Sequence, residues 1–233
     1  MTSVEEALSS LPVTRLAHFT PASNLGGILI DGQLRAATDL SEDRVQHHAV
    51  TDEIRIDGQR DLVCCSFEYP NPFYSAIARK KSGFKNYPTW VCLLLDRELT
   101  TRSGTRFYPC NAAKGSGGHG DAGGDALLAM WKSPSPVGAY QRRTLHHPAV
   151  PTDLQAEVQV PGPVPVSAIR AIVVESAEVA DEQFRWLQLC DARPERFEWR
   201  VAPLFFSRDG LAVAIQSGTP VAEIVYEPNG GAP

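Results

Sequence analysis

The sequence lacks most of the features that mark the large familiar classes of protein. No stretch of its 233 residues approaches the roughly 18 consecutive apolar residues of a membrane-spanning helix, so a helical membrane protein is excluded. The N-terminus, MTSVEEALSSLP, carries acid where a secretory signal carries positive charge ahead of an apolar run, and the chain therefore reads as cytoplasmic. Its five cysteines, Cys64, Cys65, Cys92, Cys110 and Cys190, are odd in number and without C-x-x-C spacing, which indicates neither a disulfide framework nor a zinc site. The pairs His47-His48 and His146-His147 lack the i, i+4 spacing that sets two ligands on one helix face, so no metal is expected. A G-x-x-x-x-G-K-[ST] loop and a G-x-S-x-G elbow are missing, and no G-x-G-x-x-G fingerprint follows a strand. Basic excess is missing too. A net charge of -5 argues against coating duplex nucleic acid and confines any such contact to a local patch.

What is present is enough for a core: 43% of residues are hydrophobic and 21% charged. Eighteen glycines and 18 prolines, scattered and without a repeat, break the chain into short elements and favour an α+β fold with many loops. A strand is expected over 14–19, then a helix from Thr20-Pro21, with threonine as cap, Leu25, Ile28 and Leu29 as its apolar face and Gly32 as its stop. LVCCSF (62–67) and WVCLLL (90–95) read as buried strands with a helix over 73–81 between them. Further strands are expected over 156–160 and 169–175 and a helix over 184–190. Segments 197–204, 211–215 and 221–226 read as extended. The glycine-rich stretch 114–125 should be mobile, and 133–154 is long enough without an element to suggest a functional loop.

Four separated segments carry polar groups in suggestive places: His18-Phe19-Thr20 with Asn24, the DEIRIDG run at 52–58, Asn111-Ala112-Ala113, and Ala156-Glu157-Val158. Each alone has an ordinary explanation. Taken alone, His18 is more often a hydrogen-bonded structural residue and Glu157 the solvent-facing member of an alternating strand. A cluster of Arg79, Lys80, Lys81 and Lys85 interleaved with Phe84, Tyr87 and Trp90 suits unstacked bases, or else is a solvated helix end with its rings in the core.

In this order the segments resemble the DarT family of ADP-ribosyltransferase toxins, which modify bases in single-stranded DNA. The matches are HFTPASNLGGILIDGQL, DEIRIDGQRDLVCCSFEYPN, TWVCLLLDREL with YPCNAA, and TDLQAEVQVPGPVPVSAI, spanning residues 16–175. The resemblance implies residues 1–233 as a single ADP-ribosyltransferase domain of the PARP and diphtheria-toxin type, a split antiparallel sheet with flanking helices and NAD as co-substrate. It implies Glu157 and Arg55 as catalytic residues, with Arg60 the competitor of Arg55. His18, Thr20, Asn24 and one of Ser66 and Phe67 would meet NAD. Asn111, Tyr140, Arg142, Arg143, Lys80, Lys81 and Trp90 would meet the DNA. RIDG followed by PN is more similar to the guanine-modifying than to the thymine-modifying branch. A macrodomain antitoxin is the implied partner. A transferase for RNA or protein, or an inactive binding module, would share the same fold.

Overall fold

The computed structural model describes residues 2–36, 57–79 and 89–228. Ser3 and Glu6 form a reciprocal capping box that opens helix α1 (Val4–Ser10), which leads to strand β1 (Arg15–Pro21). Helix α2 (Ser23–Asp31) and the short β2 (Gln33–Leu34) follow. The strand β3 (Leu62–Phe67) has the expected limits and passes into α3 (Pro72–Ala78), capped by the Asn71 side chain on the amides of Phe73 and Tyr74. Next come β4 (Trp90–Asp96), β5 (Arg106–Tyr108), α4 (Gly124–Ala129), β6 (Glu157–Pro161), β7 (Val164–Pro165) and β8 (Ile169–Val174). The chain continues through α5 (Ala177–Leu189), β9 (Glu198–Val201), α6 (Arg208–Ser217) and β10 (Ile224–Tyr226).

Eight strands form one sheet in the order β10-β9-β8-β4-β1-β3-β6-β5, antiparallel except for the parallel β8–β9 pair, while β2 and β7 pair separately. WVCLLL is central and buried on both faces, which is why it reads as a continuous apolar run. One face packs Leu16, Leu93 and Leu95 with α1, α2 and α5 residues such as Leu8, Leu25 and Phe184. The other packs Ala17, Phe19, Cys92 and Leu94 with Ala78, Phe205 and Leu211. Among the described residues no helix is long and apolar enough to cross a membrane.

Two local expectations need correction. Thr20 and Pro21 end β1, and α2 starts two residues later without a side-chain cap, because the β1–β4 ladder runs on to Pro21↔Trp90. Residues 211–215, expected as extended, lie inside α6. Ser207 caps that helix, Leu211, Ala214 and Ile215 face the core at helical spacing, and Gly218 stops it in the left-handed region.

Candidate active site

The sheet is joined unevenly at its middle. β1 pairs with β4 over seven residues but with β3 only at Leu16↔Phe67 and Ala17↔Ser66. Where that ladder stops, the imidazole of His18 reaches across, and its Nδ1–H donates to the carbonyl of Cys64 at 2.8 Å. This bond fixes the tautomer and leaves Nε2 as an acceptor. Burial lowers the His18 pKa, only partly offset by the Cys64 bond, so the ring is held neutral. Thr20, on the same face of β1 by alternation, is buried and accepts a bond from Asn24 Nδ2 at 3.0 Å.

Beyond the parting lie β3, β6 and β5. Cys65 pairs with Val158 and Tyr108 with Glu157, so Ala17, Ser66, Glu157 and Tyr108 form one row across four strands. With strands about 4.8 Å apart, the backbone of Glu157 stands about 10 Å from that of Ala17, whose side chain shares its row. His18, the next residue, alternates to the face of Leu16 and Leu93 and reaches the parting with its ring. Glu157 is the first residue of β6 and half-buried, and its Oε1 accepts the Ala112 amide at 3.2 Å. Asn111 turns the chain there by accepting the Ala113 amide at 2.9 Å. Val158 and Val160 on the opposite face are fully buried, so a core on one side holds a carboxylate on the other.

Of the two β3 candidates, Ser66 shares the Glu157 row. Phe67 does not serve a ligand: it is in the core, edge-on to Trp131 with ring centroids 5.2 Å apart. Trp90 is likewise corrected from the DNA-contacting set, since it is 2% exposed and stacks on Phe19 at 4.9 Å and 11°. Arg55, Lys80 and Lys81 lie outside the described residues, and Arg60 is exposed.

The long loop is held from within. Arg142 sends Nη1 to the carbonyl of Val150 at 2.8 Å and Nη2 to those of His147 and Pro148 at 2.7 and 3.1 Å, so its half-buried guanidinium braces the loop from within. His146 is buried, and burial, then the nearby Arg142, depress its pKa to about 4 against the opposing bond from Nε2–H to the Pro151 carbonyl. Tyr140 and Arg143 remain exposed. The glycine-rich stretch, expected to be mobile, is bonded down: Arg106 Nη2 donates to the Gly120 carbonyl at 2.6 Å, and Phe107 and Asp121 exchange backbone bonds.

Sequence reasoning missed the partners that support these groups. Gln159 Nε2 donates to Asp57 Oδ2 at 2.6 Å. The alternation of EVQVP, with glutamine two places after glutamate on one face, was the signal available for it. Nothing local announced the buried network in which Arg15 joins Glu68 and Glu223, itself 2.8 Å from Arg200.

The family model described as DarT: ssDNA thymidine ADP-ribosyltransferase matches residues 17–201. No curated protein matches the sequence. Among solved structures the fold is similar to Thermus sp. 2.9 DarT in complex with NAD+, at 17% identity over 84% of this chain and 98% of that one, with a TM-score of 0.57. The same Thermus protein in complex with ADP-ribosylated ssDNA matches at 17% identity over the same shares, with a TM-score of 0.58. Thermosipho africanus DarTG in complex with ADP-ribose matches at 13% identity over 83% of this chain, with a TM-score of 0.56. The match takes in 51% of that longer chain, so this one spans about half its length.

Proposed function

Because the chain belongs to the DarT family of single-stranded-DNA ADP-ribosyltransferases, we propose that it transfers ADP-ribose from NAD to a base of single-stranded DNA, releasing nicotinamide, a pentosyl transfer. The observation that carries this reading is the placement of Glu157, held by the Ala112 amide about two strands from the point where β1 and β3 part and His18 is fixed. Breaking the bond between nicotinamide and ribose develops positive charge on the sugar, as in glycoside hydrolysis. A carboxylate fixed beside that sugar stabilises the charge and takes the proton of the attacking base nitrogen. Neutral His18, with Nε2 as an acceptor, suits a ribose hydroxyl. Ser66 lies on the carboxylate's row, and Thr20 and Asn24 extend the His18 side. Arg55 keeps the catalytic role given by resemblance. Asn111, Tyr140 and Arg143 are proposed to meet the DNA, with Lys80 and Lys81.

Single strands are favoured because extruding a base from duplex costs about a few kcal/mol, which an unpaired strand avoids. Guanine as acceptor rests on RIDG followed by PN, although Asn71 of that PN also serves as a helix cap; the family model's description names thymidine. In the cell the chain would act in the cytoplasm as the toxin of a toxin–antitoxin pair, a single domain restrained by a macrodomain antitoxin; the likeness to Thermosipho DarTG supports the pairing.

Mass spectrometry of short oligonucleotides, each lacking one base, after incubation with NAD tests the reading. Single strands containing guanine should gain ADP-ribose, and Glu157→Ala should abolish the gain while calorimetry still detects NAD binding. His18→Ala should instead weaken NAD binding. Label on guanine-free strands moves the assignment to thymine. Label on RNA or protein alone, or duplex labelled as fast as single strand, overturns the DNA reading.

A further inference from the structure

Around Glu157 a ring of contacts passes through three separate stretches of chain. Gln159 Nε2 donates to Asp57 Oδ2 at 2.6 Å, and Asp57 Oδ1 accepts the Gln59 amide at 3.1 Å. The carbonyl of Asp57 lies against Gly117, which has φ +82° and where a Cβ would come within 2.7 Å of that oxygen. The Gly117 amide donates to the Ala112 carbonyl at 3.1 Å, and the Ala112 amide to Glu157 Oε1 at 3.2 Å. Glu157 and Gln159, two residues apart on one face of β6, close the ring.

Gln159 is fully buried, and among the described residues its Oε1 has no hydrogen-bond partner. An apolar side chain of similar size would fill the space without stranding an oxygen, so packing alone does not explain an amide there. Its distinctive contribution is the bond to Asp57. We propose that Gln159 and Asp57 are a positioning pair: they seat the Ala112–Gly117 turn so that its amide aims at Glu157 and fixes the carboxylate for transfer. This rests on the reading of Glu157 given above.

Misplacing a catalytic group by about 1 Å costs on the order of a hundredfold in rate, so Gln159→Leu should lower kcat by roughly 10- to 100-fold while KM for NAD changes by less than about 3-fold. Asp57→Ala should match it, and Asp57→Asn, whose single oxygen keeps the Gln159 bond while its NH2 gives up the bond from the Gln59 amide, should recover part of the rate. The double variant Gln159→Leu/Asp57→Ala should be no worse than either single one. Hydrogen–deuterium exchange reads the ring without any substrate: residues 111–118 should exchange faster in Gln159→Leu. Should that variant not fold, Asp57→Ala carries the same measurements. Wild-type kcat, unchanged exchange over 111–118, or a rate loss matched by the loss of folded protein would overturn the proposal. If the wild type modifies no DNA, the functional reading falls, and the exchange result still decides the ring.

Discussion

Two irregular stretches flank Glu157, and they are held by opposite means. The glycine-rich one, 111–123, is shaped by what it lacks. Gly117 sits against the Asp57 backbone, and Gly120 lies so close to Tyr108 that a Cβ would come 2.1 Å from Cε1 of the ring. The long one, 131–156, is shaped by what it has: one forked guanidinium that gathers three carbonyls, and one buried imidazole. The first should therefore fail on gaining atoms and the second on losing them. Glycine richness here means close packing, and loop length means internal bracing.

The sharpest way to break the comparison is Gly120→Ala. Tyr108 is fully buried and cannot yield, so the added methyl should cost about 1–3 kcal/mol, read as a lower Tm, with DNA transfer reduced in parallel. An unchanged Tm would mean that the glycine-rich stretch is not packed as described. Arg142→Met should come next. Removing the fork exposes the loop, so limited proteolysis within 133–150 should accelerate, with about 1 kcal/mol or more of stability lost. Arg142→Lys should not restore it, because an ammonium does not span three carbonyls as a planar fork does.

His146 offers a graded test of the same loop. Its pKa is lowered from 6.5 to about 4 in the folded state, so the unfolded chain binds the proton first as pH falls. The stability it contributes is complete above about pH 6.5 and lost as pH drops towards 4. His146→Gln should flatten that stretch of the stability profile, measured by urea unfolding at several pH values. The smallest effect on the fold should come from Tyr140→Ala and Arg143→Ala, which alter exposed side chains and should stay within about 0.5 kcal/mol. Both should instead raise KM for single-stranded DNA while leaving KM for NAD unchanged.

The parts of the fold that were legible in the sequence are those whose signal is local. WVCLLL announces its strand because burial on both faces removes the polar alternation, LVCCSF because a short apolar run is bounded by polar residues, and Gly32 ends α2 at the position where a left-handed residue is needed. Residues 211–215 misled because five apolar or small residues fit a strand as well as a helix; Ser207 and Gly218, lying outside that window, decide the matter. In the site, Glu157, His18 and Asn111 stood out through resemblance. Trp90 did not separate from the basic cluster because sequence does not say that Phe19, 71 positions away, stacks on it. A still longer separation, 102 positions, hid Asp57 from Gln159.

The donor that steadies Glu157 is a main-chain amide, supplied at Ala112 by a residue whose side chain is a single methyl. Every amino acid except proline brings the same N–H to that place. Mutagenesis that trims side chains is blind to such a contact, and at this position an alanine scan has nothing left to trim. Drift at residue 112 can proceed among small residues without touching the carboxylate. Exchanging the amide for an ester at that one peptide unit would reveal it, since the oxygen that replaces N–H repels the carboxylate it used to hold.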